Sequence, residues 1–308
     1  MAEVSAALVK QLREQTAAGM MDCKRALSET GGDLEAATDW LRKKGLAAAA
    51  KKAGRVASDG LVAVTVAGTR GAVVEVNAET DFVARNEDFQ ALVRSIAERA
   101  PDAAGDLDRL LQAEIASSGK SVADTVTDAI ARIGENISVR RTAVVDVGQG
   151  VVGAYVHGQL SPGLGKIGVL VGVESAGDPE LLATLGKQLA MHVAAARPLS
   201  VSVDRLDPAT LARERAIYAD QARQTGKPDN IVEKIVEGRV RKYYEEAVLL
   251  EQDFVVDPDL KVKAAIERAA KEAGSPIEIS GFVRYALGEG LETKTSNLAD
   301  EVAALAGA

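Results

Sequence analysis

Cysteine and histidine are scarce in this sequence of 308 residues, and their scarcity excludes several kinds of site. With Cys23 as its single cysteine, the chain cannot form an intramolecular disulfide, which is typical of proteins in a reducing compartment. Cys23 has no cluster of metal ligands near it, so we expect a buried structural thiol. The two histidines, His157 and His192, lie far apart, and the dispersed acidic residues offer no catalytic pair. We therefore expect no catalytic residues and no metal site, and favour a binding protein over an enzyme.

Long apolar runs and a phosphate-binding loop are also missing. No stretch approaches the ~20 apolar residues that span a bilayer. Residues 1–5 show neither the basic nor the apolar part of a signal peptide, so we expect a cytoplasmic protein with no membrane partner. No GxxxxGK[ST] loop occurs, and Gly163–Gly168 matches GxGxxG only in spacing, because it joins two predicted hairpin strands. We expect no nucleotide or other cofactor on this chain.

Net positive charge is lacking as well. The net charge is -8, which argues against nucleic acid as the main partner. One basic run stands out between residues 42 and 55, and it is either a solvated helical linker or an RNA contact. No aromatic residues interleave for base stacking, which favours the linker.

The length and the hydrophobic pattern predict several domains of the α+β class. Residues 3–45 predict a unit of three helices, with Asp22 and Asp33 as N-caps of the second and third and Gly45 as the stop. After a linker, an internal repeat begins, because Gly60–Gly68 resembles Gly150–Gly158.

In each half of this repeat, a second strand and a helix follow. The alternating strands predict antiparallel hairpins with one face covered by helices. A helix at 122–133 and a strand at 137–147 are expected to close the first half.

The second half contains two long amphipathic helices, predicted at 208–224 and 229–246 and joined by a short turn. This helical hairpin either mediates self-association or packs against its own domain. Beyond it we predict a helix at 257–273, a strand at 277–287 and a short C-terminal helix at 298–305.

One large apolar residue, Phe82, lies in the charged stretch Glu79–Asn86, between an apolar strand and an amphipathic helix. The chain has only four phenylalanines, so this position is informative. The ring either folds back onto the core beside Phe89, which the pattern alone favours, or protrudes as an anchor for a partner.

Four segments together resemble the elongation factor Ts family of bacteria: Ala18–Leu27, Glu79–Asn86, Ile133–Ile137 and Ala190–Ala195. They stand in the family's order, and the resemblance extends along the whole chain. It implies an α+β fold with a ubiquitin-associated-like domain of three helices, a core of two related subdomains with antiparallel sheets, an inserted α-helical coiled-coil hairpin and a C-terminal helix. The boundaries implied are 1–54 for the partner-docking domain, 55–147 for the core N-subdomain, 148–205 and 247–290 for the core C-subdomain, 206–246 for the hairpin and 291–308 for the C-terminal module.

The resemblance also implies a function, which is nucleotide exchange on elongation factor Tu. In the family, a Thr-Asp-Phe-Val motif disturbs the magnesium and phosphate site of the GDP-bound partner, so that GDP leaves and GTP can bind. That motif corresponds to Thr80, Asp81, Phe82 and Val83, and we expect Phe82 to be the wedge. Further partner contacts are implied at Lys10, Leu12, Met20, Met21, Ile133, Gly134 and His157. The hairpin implies a homodimer or a two-plus-two complex.

Two details depart from the family pattern, and two other functions stay open. Ala17 replaces a glycine that many relatives have, and the loop Gln159–Ile167 is longer than expected. His157 is either an ordinary turn residue or a partner contact. A ubiquitin-associated-like adaptor would leave the repeated core unexplained, and an RNA-binding translation protein would use the basic run between residues 42 and 55.

Overall fold

The computed structural model describes residues 4–16 and 18–291. Within them the helices are α1 Ala6–Thr16, α2 Met20–Glu29, α3 Leu34–Lys52, α4 Asp81–Arg85, α5 Glu87–Ala103, α6 Leu107–Gln112, α7 Val122–Ile133, α8 Pro179–Ala196, α9 Pro208–Arg223, α10 Asp229–Ala247 and α11 Val262–Ala273. The strands are β1 Asp59–Ala67, β2 Arg70–Ala78, β3 Glu114–Ile115, β4 Lys120–Ser121, β5 Ile137–Asp146, β6 Gly150–His157, β7 Leu164–Gly165, β8 Ile167–Glu174, β9 Asp253–Phe254, β10 Asp257–Lys261 and β11 Glu278–Ala286. This is the α+β fold that the sequence predicts.

The strands form one four-stranded sheet, one three-stranded sheet and two small ribbons. The larger sheet has the order β5-β2-β1-β7, and the three-stranded sheet has the order β11-β8-β6. No helix among residues 4–16 and 18–291 is long and apolar enough to cross a membrane.

The chain divides into two compact units. Among the described residues, the first unit comprises 4–16, 18–62, 74–141 and 286–291, and the second comprises 63–73 and 142–285. The division into five segments that the resemblance implies stays a prediction. Ala17 and the helix predicted at 298–305 lie outside the described residues.

Three short helices, α1 to α3, open the first unit around a small apolar core. Its buried residues are Val9, Leu12, Cys23, Ala26, Leu27 and Ala37, so the prediction of a buried thiol is confirmed. The predicted cap of α3 is also confirmed, because Asp33 Oδ1 accepts hydrogen bonds from the N–H groups of Glu35 at 2.8 Å and Ala36 at 3.0 Å.

Two helix boundaries in this region differ from the sequence prediction. Helix α2 begins one turn earlier, after Gly19, so Asp22 lies inside the first turn and pairs with Lys44 instead of capping the helix. Helix α3 does not stop at Gly45 but continues to Lys52. Gly45 is buried opposite Ala131 of α7, and this packing offsets the cost of about 1 kcal/mol that a glycine brings to a helix interior.

A buried ion cluster joins β2, β5 and the chain just after β11 within the first unit. The carboxylate of Glu75 has no exposed surface and accepts hydrogen bonds from Arg140 Nη1 at 3.0 Å, Arg141 Nε at 2.5 Å and the N–H of Gly288 at 2.8 Å. Burial by itself would raise the pKa of Glu75, but these donors outweigh it and hold the pKa below its usual value. The cluster therefore keeps one fully buried charge ionised.

The second unit contains the repeat of the β-hairpin that the sequence predicts. Strands β6 and β8 pair antiparallel from Gly150 opposite Glu174 to His157 opposite Ile167. Helix α8 packs on both strands. Gly153 of β6 and Gly186 of α8 allow this close approach, because a Cβ on Gly153 would lie 2.2 Å from the Gly186 backbone.

The long loop between β6 and β8 is ordered by main-chain hydrogen bonds. Gly163 O accepts from the N–H of Val64 at 3.0 Å, and Lys166 N–H donates to His157 O at 3.0 Å. Its short strand β7 thereby covers the outer edge of β1, which would otherwise present unpaired backbone groups.

Helices α9 and α10 form the predicted hairpin and pack against each other. Their shared apolar core consists of Ala222, Val232, Val236 and Val240, with Tyr218, Ile235 and Tyr244 among the half-buried residues around it. Asp207 caps α9 by accepting from the N–H groups of Ala209 and Thr210, both at 3.1 Å. Val236 is thus buried between the two helices and Ile235 is half-buried, whereas Ile231 is 37% exposed.

The prediction of a helix at 257–273 is wrong for the first turn. Residues 257–261 form β10, which pairs antiparallel with β9, and α11 begins only at Val262. The N–H of Val262 donates to Gln252 O at 2.9 Å, so the first helical residue is held by the chain before the ribbon. The helical pattern of the sequence gave no indication that residues 257–261 pair with β9.

A buried histidine, His192 of α8, connects three parts of the second unit. Its Nδ1 accepts from the N–H of Val255 at 3.2 Å, which requires the neutral ring to carry its proton on Nε2, 2.8 Å from Gln252 Oε1. Gln252 in turn donates to Glu246 O at 2.7 Å. Burial lowers the pKa of His192, and the hydrogen bond to Gln252 opposes that shift.

We expect this histidine to make the protein less stable in mild acid. The pKa of His192 is lower in the folded chain than in the unfolded chain. Its contribution to the free energy of unfolding is therefore fully present above the unfolded pKa and is lost as the pH falls from there through the folded pKa. Each pH unit in that window costs at most about 1.4 kcal/mol. Urea unfolding at pH 7.5 and 5.5 measures the loss, which should shrink in His192→Asn and persist in His157→Asn. Equal losses in the two variants would contradict this assignment.

Candidate functional site

Phe82 projects from a short helical turn directly after β2 of the first unit. Its side chain is 81% exposed, whereas the neighbouring Val83 and Ala84 are 7% and 2% exposed. The hypothesis that Phe82 folds back onto the core is therefore wrong, and Phe89 occupies the core instead with no exposed surface. A large aromatic ring left in water on a buried base is a typical anchor for a partner.

The turn that carries Phe82 is held by a carboxylate from a distant part of the chain. Glu135 Oε2 accepts from the N–H groups of Glu79 at 3.1 Å and Thr80 at 3.0 Å, and its Oε1 accepts from Thr80 Oγ1 at 2.7 Å. In return, Glu79 Oε1 accepts from the N–H of Asn136 at 2.7 Å. Four hydrogen bonds thus fix the turn to the chain that follows α7, which keeps the base of the ring rigid.

Side chains also hold the start of α5, directly after α4, and link the first and last residues of α4. Asn86 Oδ1 caps the next helix, α5, by accepting from the N–H groups of Asp88 at 2.8 Å and Phe89 at 3.2 Å. Arg85 Nη2 donates to Asp81 Oδ2 at 3.1 Å across the exposed face. This ion pair is solvent-exposed, so it orients Asp81 with little stabilisation.

Ile133 and Gly134, the predicted second contact, lie at the end of α7. Gly134 ends the helix in the left-handed conformation, with φ at 91°, and its N–H donates to Ile130 O at 3.0 Å. This sharp stop turns the chain so that Glu135 and Asn136 face Glu79 and Thr80. The structure therefore brings the two predicted segments together.

Sequence reasoning missed Glu135, Asn136 and Glu79 as supports of the site. All three lie inside the segments that carry the family resemblance. Their pairing joins positions more than 50 apart in sequence, and no local spacing indicates such a partner.

The predicted contacts in the three-helix unit differ in accessibility. Met20 and Met21 are 59% and 75% exposed at the start of α2, and consecutive exposed methionines offer an adaptable apolar surface. Lys10 is exposed and forms an ion pair of 3.8 Å with Glu14. Leu12 has no exposed surface, so its side chain supports this unit from inside and is not available to a partner.

His157 lies in the second unit, at the end of β6. Its ring is exposed, and its Nδ1 is 3.2 Å from the hydroxyl of Tyr155. The role of His157 as a partner contact stays a prediction.

Comparison with known proteins identifies the family. The model of the family described as elongation factor TS matches residues 79–289, which include the Phe82 turn, Glu135 and His157. The chain belongs to the elongation factor Ts family. An elongation factor Ts from Rhodospirillum centenum is 60% identical over 100% of both chains. Those from Parvibaculum lavamentivorans and Rhodospirillum rubrum are each 58% identical over 99% of both chains.

Membership of the elongation factor Ts family confirms the resemblance on which the site was predicted. It makes the chain a translation elongation factor of the protein-synthesis machinery. Neither the adaptor nor the RNA-binding alternative has support of this kind.

We expect Glu135→Gln to weaken the function of the Phe82 turn more than it weakens the fold. The amide keeps the size of the side chain but loses the charge and one acceptor, and hydrogen bonds to a charged group are worth about 1.5–3 kcal/mol. Partner affinity should fall about tenfold, as measured by calorimetry with elongation factor Tu, while Glu98→Gln, an exposed control on α5, should have no effect.

A double variant tests whether Glu135 acts through Phe82. In the Phe82→Ala background, adding Glu135→Gln should cause a much smaller loss than in the natural chain, because only the weaker Asp81 contact is left on the turn. Additive losses would instead assign Glu135 its own contact with the partner.

Proposed function

We propose that this protein is a guanine-nucleotide exchange factor for elongation factor Tu. It binds the GDP-bound partner and disturbs the magnesium and phosphate site, so that GDP leaves and GTP can enter. It is not an enzyme in its own right, and it acts through contact surfaces alone. The exposed ring of Phe82 on a fixed turn carries the proposal.

The thermodynamics of exchange explain why an exposed, rigid ring suits this role. An exchange protein that binds the empty partner more tightly than the nucleotide-bound partner lowers the partner's affinity for nucleotide. By linkage, nucleotide lowers the partner's affinity for the exchange protein to the same extent. A ring already held in position loses little conformational entropy on binding, so more of its contact energy is available to displace the partner's metal and phosphate contacts. A wedge on a loose loop would lose part of that energy to ordering.

The neighbours of Phe82 have supporting roles in this proposal. Thr80 and Val83 fix the turn, since Thr80 bonds to Glu135 and the side chain of Val83 is buried. Asp81 is half-exposed beside Phe82 and offers a negative charge to a helix N-terminus or a cation of the partner. Ile133 and Gly134 extend the same contact surface.

We assign further partner contacts to Lys10, Met20 and Met21 of the three-helix domain, residues 1–54, and to His157 of the core C-subdomain. In this proposal the core subdomains are residues 55–147 and residues 148–205 with 247–290, and residues 291–308 form a C-terminal module. Leu12 contributes to this docking domain by supporting α1 and α2 from inside.

Release of fluorescent GDP from elongation factor Tu tests the proposal. Adding the protein should accelerate release and leave the final nucleotide occupancy at excess GTP unchanged, because an exchange factor changes rates without being consumed. Calorimetry of the protein alone with GDP or GTP should show no binding. Unchanged release rates would overturn the proposal. Tight binding of nucleotide to this chain alone would contradict the part of the proposal that gives the chain no nucleotide site of its own.

We further infer that the hairpin of residues 206–246 mediates a homodimer or a two-plus-two complex with elongation factor Tu. Ile217 and Ile231 remain exposed on it, outside the core between α9 and α10. Replacing residues 208–246 by a short glycine-serine linker should halve the mass in light scattering and leave exchange close to normal. An unchanged mass with lost exchange would assign the hairpin to the partner interface.

A further inference from the structure

An open apolar groove of about 760 Å³ runs along the C-terminal half of α3 in the first unit. Its wall includes Leu46, Ala49, Ala53, Val56, Ile130 and Ile137. Leu46 is 50% exposed and Val56 is 38% exposed, so apolar surface is left uncovered there by the described residues.

The side of α3 that lines the groove is built like the contact face of a helix pair. Leu46, Ala49, Ala50 and Ala53 recur at i, i+3, i+4 and i+7, and all four line the groove. Small residues on this stripe let another segment approach the α3 backbone closely. The groove therefore fits an elongated apolar segment better than a compact small molecule.

The chain itself leads into this groove. Leu291, the last described residue, forms part of its wall, and the preceding segment is fixed because Gly288 N–H is bonded to Glu75 and Arg140 Nη2 donates to Glu289 O at 2.6 Å. The sequence that follows carries Leu298, Val302 and Leu305 at i, i+4 and i+7, the spacing of an apolar helix face. Residues 292–297 reach about 20 Å when extended, which is long enough to fold back along α3.

Charge complementarity points to the same occupant. The rim at the end of α3 is basic, with Lys51, Lys52 and Arg55. The segment after Leu291 is acidic, with Glu292, Asp300 and Glu301 against the single Lys294.

We propose that the groove along α3 binds the chain's own C-terminal segment, residues 298–305. A segment tethered at the wall of the groove has an effective concentration in the millimolar range, so it outcompetes a second copy or an unrelated peptide. The bound segment would cover the hydrogen bond of 2.8 Å between Asn136 Nδ2 and Arg55 O, because both residues line the groove. It would thereby stabilise Asn136, which belongs to the chain segment that holds the Phe82 turn.

Disulfide trapping in the full chain tests the proposal. In a Cys23→Ser background, Ala50→Cys is combined with Val302→Cys, and the matched control combines Lys10→Cys, exposed on α1 and outside the groove, with Val302→Cys. Under the same glutathione buffer, the groove pair should form an intramolecular disulfide at least tenfold faster than the control pair, as followed by mass spectrometry. Equal rates would overturn the proposal. Covalent dimers would overturn it in favour of a second copy, and a disulfide formed only with added elongation factor Tu would overturn it in favour of the partner.

Hydrogen exchange gives a measurement without cysteines. Val302→Asp should speed exchange of the amides of residues 46–53 severalfold, and Thr295→Asp, which lies outside the apolar stripe, should leave them unchanged. No difference between the two variants would contradict docking in the groove. Neither experiment depends on exchange activity, so failure here leaves the proposed function intact.

Discussion

Phe82→Ala should reduce affinity for nucleotide-free elongation factor Tu about 30-fold, corresponding to the ~2 kcal/mol of an aromatic hot spot. The accelerated release of GDP should fall with it, because in the proposed mechanism it is this ring that displaces the partner's metal and phosphate contacts. The melting temperature should hardly change, since the ring is already 81% exposed in the free protein. Stopped-flow GDP release paired with thermal melts measures both effects.

A second phenylalanine of the same unit gives the matched control. Phe89 is fully buried, so Phe89→Leu should lower stability by about 1 kcal/mol while leaving exchange normal below the melting range. Asp81→Ala should cost less affinity than Phe82→Ala, because its charge is exposed and screened. A normal exchange rate in Phe82→Ala would end the wedge proposal, and a large drop in its melting temperature would mean that the ring is part of the core.

Glu75→Leu should cause the largest loss of stability, about 3–5 kcal/mol, because it removes the fully buried carboxylate that pairs with Arg140 and Arg141. Urea unfolding at pH 7 measures the free energy of unfolding. The control is Asp128→Asn, which removes an exposed ion pair of 2.6 Å with Lys120 and should cost less than about 1 kcal/mol.

The pH dependence of unfolding follows from the same cluster. Because the pKa of Glu75 is lower in the folded chain than in the unfolded chain, its stabilisation is present above the unfolded value, about 4.3, and is lost as the pH falls through the folded value. Glu75→Gln should therefore flatten the acid limb of the stability curve. It should also speed hydrogen exchange at Gly288, whose N–H bonds to this carboxylate. An unchanged acid limb together with slow exchange at Gly288 would contradict the cluster's role.

The sequence alone determined the elements whose signals are local. The hairpin helices predicted at 208–224 and 229–246 occur as α9 and α10, because helical periodicity, an aspartate cap and a glycine-proline turn all act within one or two turns of the chain. The repeated β-hairpins were predictable for the same reason, since alternation of apolar residues fixes a strand and its buried face. Family resemblance then supplied the candidate site, down to Phe82.

Tertiary structure alone decided which of these residues face water and what holds them. The sequence shows an apolar residue at Phe82, but only the fold decides that Val83 and Ala84 are buried while the ring stays exposed. Pairing of Glu135 with Thr80, like the pairing of β10 with β9, depends on which chain segments meet after folding. Gly45 shows the same limit, because a glycine that ends a helix in isolation is kept within α3 by contact with α7. Such outcomes depend on long-range contacts, whose energies are absent from any short window of sequence.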